Sequence, residues 1–161
     1  MVKLGLYIKA ELENVTDLVP VEDYEWHFKI ECTSCHEVDE SWISFNRHDS
    51  YDMNSSRGSA NLVMRCKFCK RDLTAQFEPS FKIRKYEIEE NNKFQQIAQF
   101  DCRGLDLVGF EPRNGWTCKG TESGTDFEDI DLVEGEWAEY DEKSGEPVGI
   151  SNIEVKFKKE K

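Results

Sequence analysis

Apolar and polar residues alternate along most of this chain. From Val2 to Ala10 every second residue is apolar, and the residues between them are mostly polar. Because successive side chains of a strand point to opposite faces, this pattern predicts a strand with one buried face. The segment from Tyr24 to Cys32 shows the same pattern. Shorter stripes of the same kind predict four further strands, at 60–66, 73–77, 98–102 and 153–157.

Helical periodicity is scarce. Val38, Trp42 and Phe45 have helical spacing. However, Ile43 and Phe45 also alternate, so the choice between helix and strand stays open there. The segment 86–97 predicts at most a short helical turn.

Many short alternating segments separated by turn residues are typical of an antiparallel β-sandwich or barrel. One such turn is the stretch SSRGSA at 55–60, which leads into the third predicted strand. A chain of 161 residues is long enough to bury a core without cross-links. We therefore expect one mainly β domain over residues 1–161, with a tail that frays from about residue 158.

Two Cys-x-x-Cys pairs are the strongest chemical signal. Cys32 and Cys35 form the first pair, Cys66 and Cys69 form the second, and each pair begins where a predicted strand ends. Zn²⁺ binds four thiolates in a tetrahedron, and the two intervening residues let a tight turn aim both sulfurs at one point. If the two strands are neighbours, all four sulfurs meet at one end of the sheet. The pattern predicts one structural Zn²⁺ per chain, with these four cysteines as its metal ligands.

The same pairs allow two other interpretations. A thioredoxin-like redox pair lies at the N-terminus of a helix, whose dipole favours the thiolate. The residues after Cys69, KRDLTAQFEP, alternate like a strand instead. Unmetallated thiols are the remaining alternative. His36 directly follows Cys35 and could serve as a ligand, but four cysteines make a fifth donor unnecessary.

Cations surround the second cysteine pair. We expect them to lower the thiol pKa values and to offset the charge of a Zn²⁺ ion with four thiolates. They are Arg65, Lys67, Lys70 and Arg71.

The other two cysteines and an acidic stretch receive structural interpretations. Cys102 shares an apolar stripe with Phe100, which predicts a core position. Cys118 lies among turn residues, which predicts a free surface thiol. The acids within 126–131 lack the order of a calcium-binding loop, so we expect a solvated face there.

The formal net charge is −12. Phosphate backbones and anionic membrane surfaces repel such a chain, so we expect neither as a partner. The sequence has no apolar run as long as a membrane span and no signal-peptide block at its N-terminus. We expect an intracellular, cytoplasmic monomer, with a nuclear location left open, whose cysteines are thiols or metal ligands rather than disulfides.

Nothing in the sequence assembles a catalytic set. The stretch GTESG at 120–124 places its serine one position too late for a nucleophile elbow. The leading hypothesis is therefore a non-enzymatic zinc-binding domain that acts through contacts with a protein partner of unknown identity. A thiol-based metal-transfer or redox protein is the alternative. A nucleic-acid-binding zinc ribbon, built on the basic second pair, is third.

Several blocks of sequence are similar to the eukaryotic CXXC-motif-containing zinc-binding protein family. The similarity runs from about Val2 to Phe157. It implies a β-sandwich-like single domain with Cys32, Cys35, Cys66 and Cys69 as zinc ligands, and it implies no reaction. A small residue is more typical of the family at the position of His36, which leaves the tightness of the first turn open. The blocks are IKAELENVTDL, CTSC, SSRGSANLV, CKFC, FDCRGLDLVGFEP, ESGTDFEDIDL and EWAEYDEKSGEPVGI.

Overall fold

The structure is a computed structural model that describes residues 2–53 and 58–160. Within these ranges it is built almost entirely from strands, with one 3₁₀ turn at Ile88–Glu90 and no α-helix. Residues 55–57 of the predicted turn lie outside the described residues. The strands are β1 (Val2–Glu13), β2 (Val15–Pro20), β3 (Trp26–Cys32), β4 (Ile43–Phe45), β5 (Tyr51–Asp52), β6 (Ser59–Ala60), β7 (Leu62–Arg65), β8 (Asp72–Phe77), β9 (Gln95–Arg103), β10 (Leu105–Glu111), β11 (Asn114–Gly120), β12 (Asp126–Asp131), β13 (Trp137–Asp141) and β14 (Glu146–Glu160).

The strands form antiparallel sheets. The largest has six strands in the order β13-β14-β1-β9-β8-β7. Two three-stranded sheets have the orders β10-β3-β4 and β12-β11-β2, and β5 pairs with β6. The mainly β, antiparallel fold class predicted from the alternation is confirmed.

The core lies between the six-stranded sheet and the sheet that contains β3. Trp26 and Phe28 on β3 are almost fully buried, and their rings lie 6.2 Å and 5.2 Å from the ring of Phe100 on β9. Alternation places these aromatic side chains on the inner faces, and packing two such faces together removes them from water.

The predicted fraying of the tail from about residue 158 is wrong for the described residues. Strand β14 continues to Glu160, which pairs in register with Lys3 of β1. The Tyr7 hydroxyl also donates a hydrogen bond to Glu160 Oε1 at 2.6 Å. Backbone pairing with β1 orders the C-terminal end of β14. The charged composition of KFKKEK gives no sign of this pairing in the sequence.

The segment left open between helix and strand contains β4, which pairs with β3. Strand β10 escaped prediction because its register shifts between Leu107 and Gly109 opposite β3. Such a bulge places one extra residue, here Val108, in the strand and interrupts the alternation. The short helical turn predicted within 86–97 is present as the 3₁₀ turn at Ile88–Glu90.

Candidate metal centre

The structure brings the sulfurs of Cys32, Cys35, Cys66 and Cys69 together, all within 4.8 Å of one another. The Sγ atoms of Cys32 and Cys69 are 3.6 Å apart, and those of Cys35 and Cys66 are 3.7 Å apart. A disulfide requires an S–S distance of about 2.05 Å. All six cysteines lie in the described ranges, and all are free thiols.

The first cysteine pair forms a tight turn. The N–H of His36 donates to the carbonyl oxygen of Cys32 at 2.8 Å, and the N–H of Cys32 donates to the carbonyl oxygen of Glu37 at 3.0 Å. His36 has a φ of 63°, in the left-handed region that residues with a Cβ adopt at a cost. This conformation reverses the chain directly after Cys35.

The second pair repeats this turn. The backbone N–H of Lys70 donates to the carbonyl oxygen of Cys66 at 2.8 Å, and the N–H of Cys66 donates to the carbonyl oxygen of Arg71 at 2.9 Å. The φ of Lys70 is 67°. The two turns have the same hydrogen bonds and nearly the same φ. His36 therefore makes the first turn neither tighter nor looser than the second.

The two pairs come from different sheets. Cys32 ends β3 of a three-stranded sheet, whereas Cys66 follows β7 at the edge of the six-stranded sheet. Our condition that the two strands be neighbours is therefore not met. Instead, the four sulfurs meet across the gap between two facing sheets. We call this cluster of four cysteines the clasp.

The clasp fits a tetrahedral zinc ion. Four Zn–S bonds of about 2.3 Å require sulfur–sulfur edges of about 3.8 Å. The Cys32–Cys69 and Cys35–Cys66 edges, 3.6 Å and 3.7 Å, come close to this value, and the remaining edges are no longer than 4.8 Å. A set of four thiols is also the donor set typical of structural zinc.

Backbone N–H groups, burial and the neighbouring thiols shift the pKa values of the clasp cysteines in opposite directions. The N–H of Cys35 lowers the pKa of Cys32, and the N–H of Cys69 lowers the pKa of Cys66 to about 6. At Cys35 the N–H of Glu37 also favours the thiolate. However, burial and the three neighbouring thiols outweigh it and raise the Cys35 pKa to about 12. Four crowded thiols cannot all ionise without a cation between them.

The flanking cations do not account for the lowered thiol pKa values, contrary to our expectation. Arg65 forms an ion pair with Asp72 at 3.4 Å, and Lys67 forms one with Asp39 at 3.5 Å. The lowered pKa values of Cys32 and Cys66 come mainly from backbone N–H groups instead.

The remaining cysteines are both buried. Cys102 on β9 is 1% exposed, as predicted for a core residue. The prediction of a surface thiol at Cys118 is wrong, because this residue lies on β11 and is 2% exposed. The turn-like composition of NGWTCKG concealed a strand whose inward side chains are Trp116 and Cys118.

Within 126–131 the acidic side chains are exposed, as expected, on β12.

The fold and the clasp define an antiparallel β protein with four clustered thiols of zinc-site geometry. The chain belongs to the family described as CXXC motif containing zinc binding protein, eukaryotic, which matches residues 5–158. The protein of that name from Rattus norvegicus is 44% identical over 160 residues and the one from Homo sapiens 42%, each with 99% of both chains covered.

Solved structures agree with this assignment. The crystal structure of C1orf123 superposes with a TM-score of 0.91 at 42% identity, covering 98% of this chain and 99% of the other. A hypothetical protein from Plasmodium falciparum gives a TM-score of 0.88 at 31% identity, with 98% and 100% covered. Over the described part of the chain, no helix is long and apolar enough to cross a membrane.

Proposed function

We propose that Cys32, Cys35, Cys66 and Cys69 hold one Zn²⁺ ion per chain as a structural site. The observation that carries this proposal is the pair of sulfur edges, 3.6 Å and 3.7 Å, between cysteines of two different sheets. When bound, the ion supplies four metal–sulfur bonds that tie the sheets together.

In this proposal the protein is non-enzymatic and acts through contacts with another protein. Four thiolates complete the tetrahedral shell of Zn²⁺ and leave no position for a reacting water molecule. Asp141 is a buried acid, only 2% exposed, and is therefore a candidate for a catalytic role. However, its carboxylate accepts hydrogen bonds from Ser123, Thr125 and the N–H of Lys143. Both features favour a structural role.

Metal analysis together with native mass spectrometry tests the zinc site. We expect one zinc per chain in the purified protein and none in a Cys32→Ser/Cys66→Ser variant. Cys118→Ala is the matched control, since it removes a buried thiol outside the clasp and should keep the ion. A zinc-free wild type, or an unchanged zinc content in the double variant, contradicts the proposal.

One observation favours metal transfer as a second candidate function. Cys35 and Cys69 are half-buried, whereas Cys32 and Cys66 are buried. The second cysteine of each pair is therefore accessible to a competing thiol ligand. Loss of zinc to a weak chelator within seconds supports transfer, and retention for hours supports the structural site.

A further inference from the structure

Strand β10 has a free edge. It pairs with β3 on one side, and no strand in residues 2–53 or 58–160 pairs with its other side. Alternate peptide groups along a strand edge keep N–H and C=O groups that another strand can bind. The free edge lines a groove of about 510 Å³ between β10 and β14.

The floor of this groove is apolar and incompletely covered. Val155 and Phe157 of β14 lie on its floor and are only half-buried. Their register partners on β1, Ile8 and Leu6, are 2% and 0% exposed. The sandwich therefore covers β1 completely but β14 only in part: the ring of Phe157 lies 6.2 Å from that of Phe28, yet the residue stays half-buried. We call this feature the β10–β14 groove.

Large apolar side chains also line the mouth of the groove. Trp42 is 37% exposed and Val108 is 47% exposed. The ammonium group of Lys29 lies 4.9 Å from the centre of the Trp42 ring. Exposed aromatic and aliphatic side chains around a groove are typical of an interaction surface.

The charge at the groove departs from that of the whole chain. Lys159 lines the groove and Lys29 lies beside it, and neither forms an ion pair within the described part of the chain. The chain as a whole carries a net charge of −12. In addition, Asp106 lines the groove with a buried Oδ1 that has no hydrogen-bond partner among the described residues. Such an acceptor requires a donor.

We propose that the β10–β14 groove binds an extended segment of a partner protein in which apolar and acidic residues alternate. The segment adds as a strand to the free edge of β10. Its apolar side chains cover Val155 and Phe157, and the acidic side chains on its other face lie near Lys29. An acidic residue at its end reaches Lys159, which shares the face of Phe157 on β14, and one of its donors satisfies Asp106.

Charge and backbone chemistry disfavour the competing occupants. A second copy docked through β10 would bring the same lysines against each other. A fatty acid offers no N–H groups to the strand edge. This inference rests on the proposed role in protein contacts and is independent of the zinc site.

Three synthetic octapeptides with blocked ends test the groove on the zinc-loaded protein. The first alternates Val and Glu, the second alternates Val and Lys, and the third is the Val–Glu peptide N-methylated at alternate residues. Binding is followed by amide chemical shifts. We expect the Val–Glu peptide to shift amides within 105–111 and 153–159. The Val–Lys and N-methylated peptides should bind at least about tenfold more weakly.

Protein variants provide the matching controls. Lys29→Glu/Lys159→Glu should weaken binding of the Val–Glu peptide by about tenfold, since it reverses both groove charges. Lys143→Glu changes an exposed lysine of the β13–β14 turn and should bind like the wild type. The N-methylated peptide tests strand addition without altering the protein, so the proposal stays testable if the double variant misfolds.

Several results would overturn the groove proposal. They are equal binding of the N-methylated or Val–Lys peptide, no binding at millimolar concentration, concentration-dependent shifts of the same amides in a peptide-free dimer, and binding of dodecanoate alone. Shifts confined to another surface would reject the groove but leave the protein-contact role standing. The zinc content of the same sample reports on the clasp separately.

Discussion

The sulfur of Cys35 lies 3.7 Å from the sulfur of Cys66, although the two residues extend from strands of different sheets. The clasp thus connects the two sheets at one end of the sandwich instead of belonging to a single sheet. A metal ion held there would restrain the two sheets relative to each other, in addition to ordering two turns.

Metal removal should therefore disorder one end of the molecule and leave the rest folded. Cys32 and Cys66 lie at the edge of the hydrophobic core that contains Phe100. The ring partners of Phe100 are aromatic residues outside the clasp, so we expect this aromatic packing to persist in the metal-free protein. Amide hydrogen exchange should accelerate in 30–40 and 64–73 and change little in the centre of β9. Global unfolding on chelation, or unchanged protection around the cysteines, would contradict this view.

Glycine at His36 or Lys70 should stabilise the protein. Both residues adopt φ values above 60°, where a Cβ is unfavourable. His36→Gly should raise the free energy of unfolding by up to about 1 kcal/mol, as measured by denaturant titration. Thr33→Gly is the control within the same turn, since its φ is not positive, and it should lower stability. A lower stability for His36→Gly would show that its side chain makes a compensating contact.

Asp141 should stabilise the fold only when it is ionised. Hydrogen bonds from Ser123 and then Thr125 lower its pKa below the value of about 3.9 expected in the unfolded chain. Its contribution is therefore complete above pH 4 and is lost as the pH falls through the folded pKa. Asp141→Asn should lower the Tm at pH 7 and flatten the loss of Tm between pH 4 and 2.

Two further variants serve as a second test and as a control for the Tm measurement on Asp141→Asn. In Gly120→Ala the new Cβ would lie 2.7 Å from Asp141 Oδ2 and from Ser123 Oγ, so it should lower the Tm at pH 7 as well. Glu128→Gln alters an exposed acid on neighbouring β12 and should leave the Tm unchanged. An Asp141→Asn protein with the wild-type acid profile would assign the pH dependence to other carboxylates.

Thiol labelling should separate the cysteines into two groups. Burial raises the pKa of both Cys102 and Cys118 to about 12, so both stay neutral and unreactive at pH 8. With Ellman's reagent, we expect almost no reaction of the zinc-loaded protein, then reaction of the four clasp thiols on chelation. The last two thiols should react only in denaturant. Rapid labelling of Cys118 in the native protein would contradict its buried position.

Much of the local structure could be predicted from the sequence. The alternation in 2–10 and 24–32 correctly identified the buried faces of β1 and β3, because inward and outward positions along a strand depend only on its period of two. The Cys-x-x-Cys spacing likewise identified the clasp cysteines, since each turn is closed by hydrogen bonds between residues four or five positions apart. Strands with a bulge or with turn-like composition, such as β10 and β11, were missed.

The sequence by itself therefore determined which side chains point inward and which cysteines pair locally. Only the tertiary structure decided that the two cysteine pairs meet across two sheets, that Cys118 is buried, and that β10 keeps a free edge beside Phe157. The physical reason is that alternation encodes the face of a strand but not its partner. Strand partners are selected by packing of the whole core, through contacts between residues far apart in the chain.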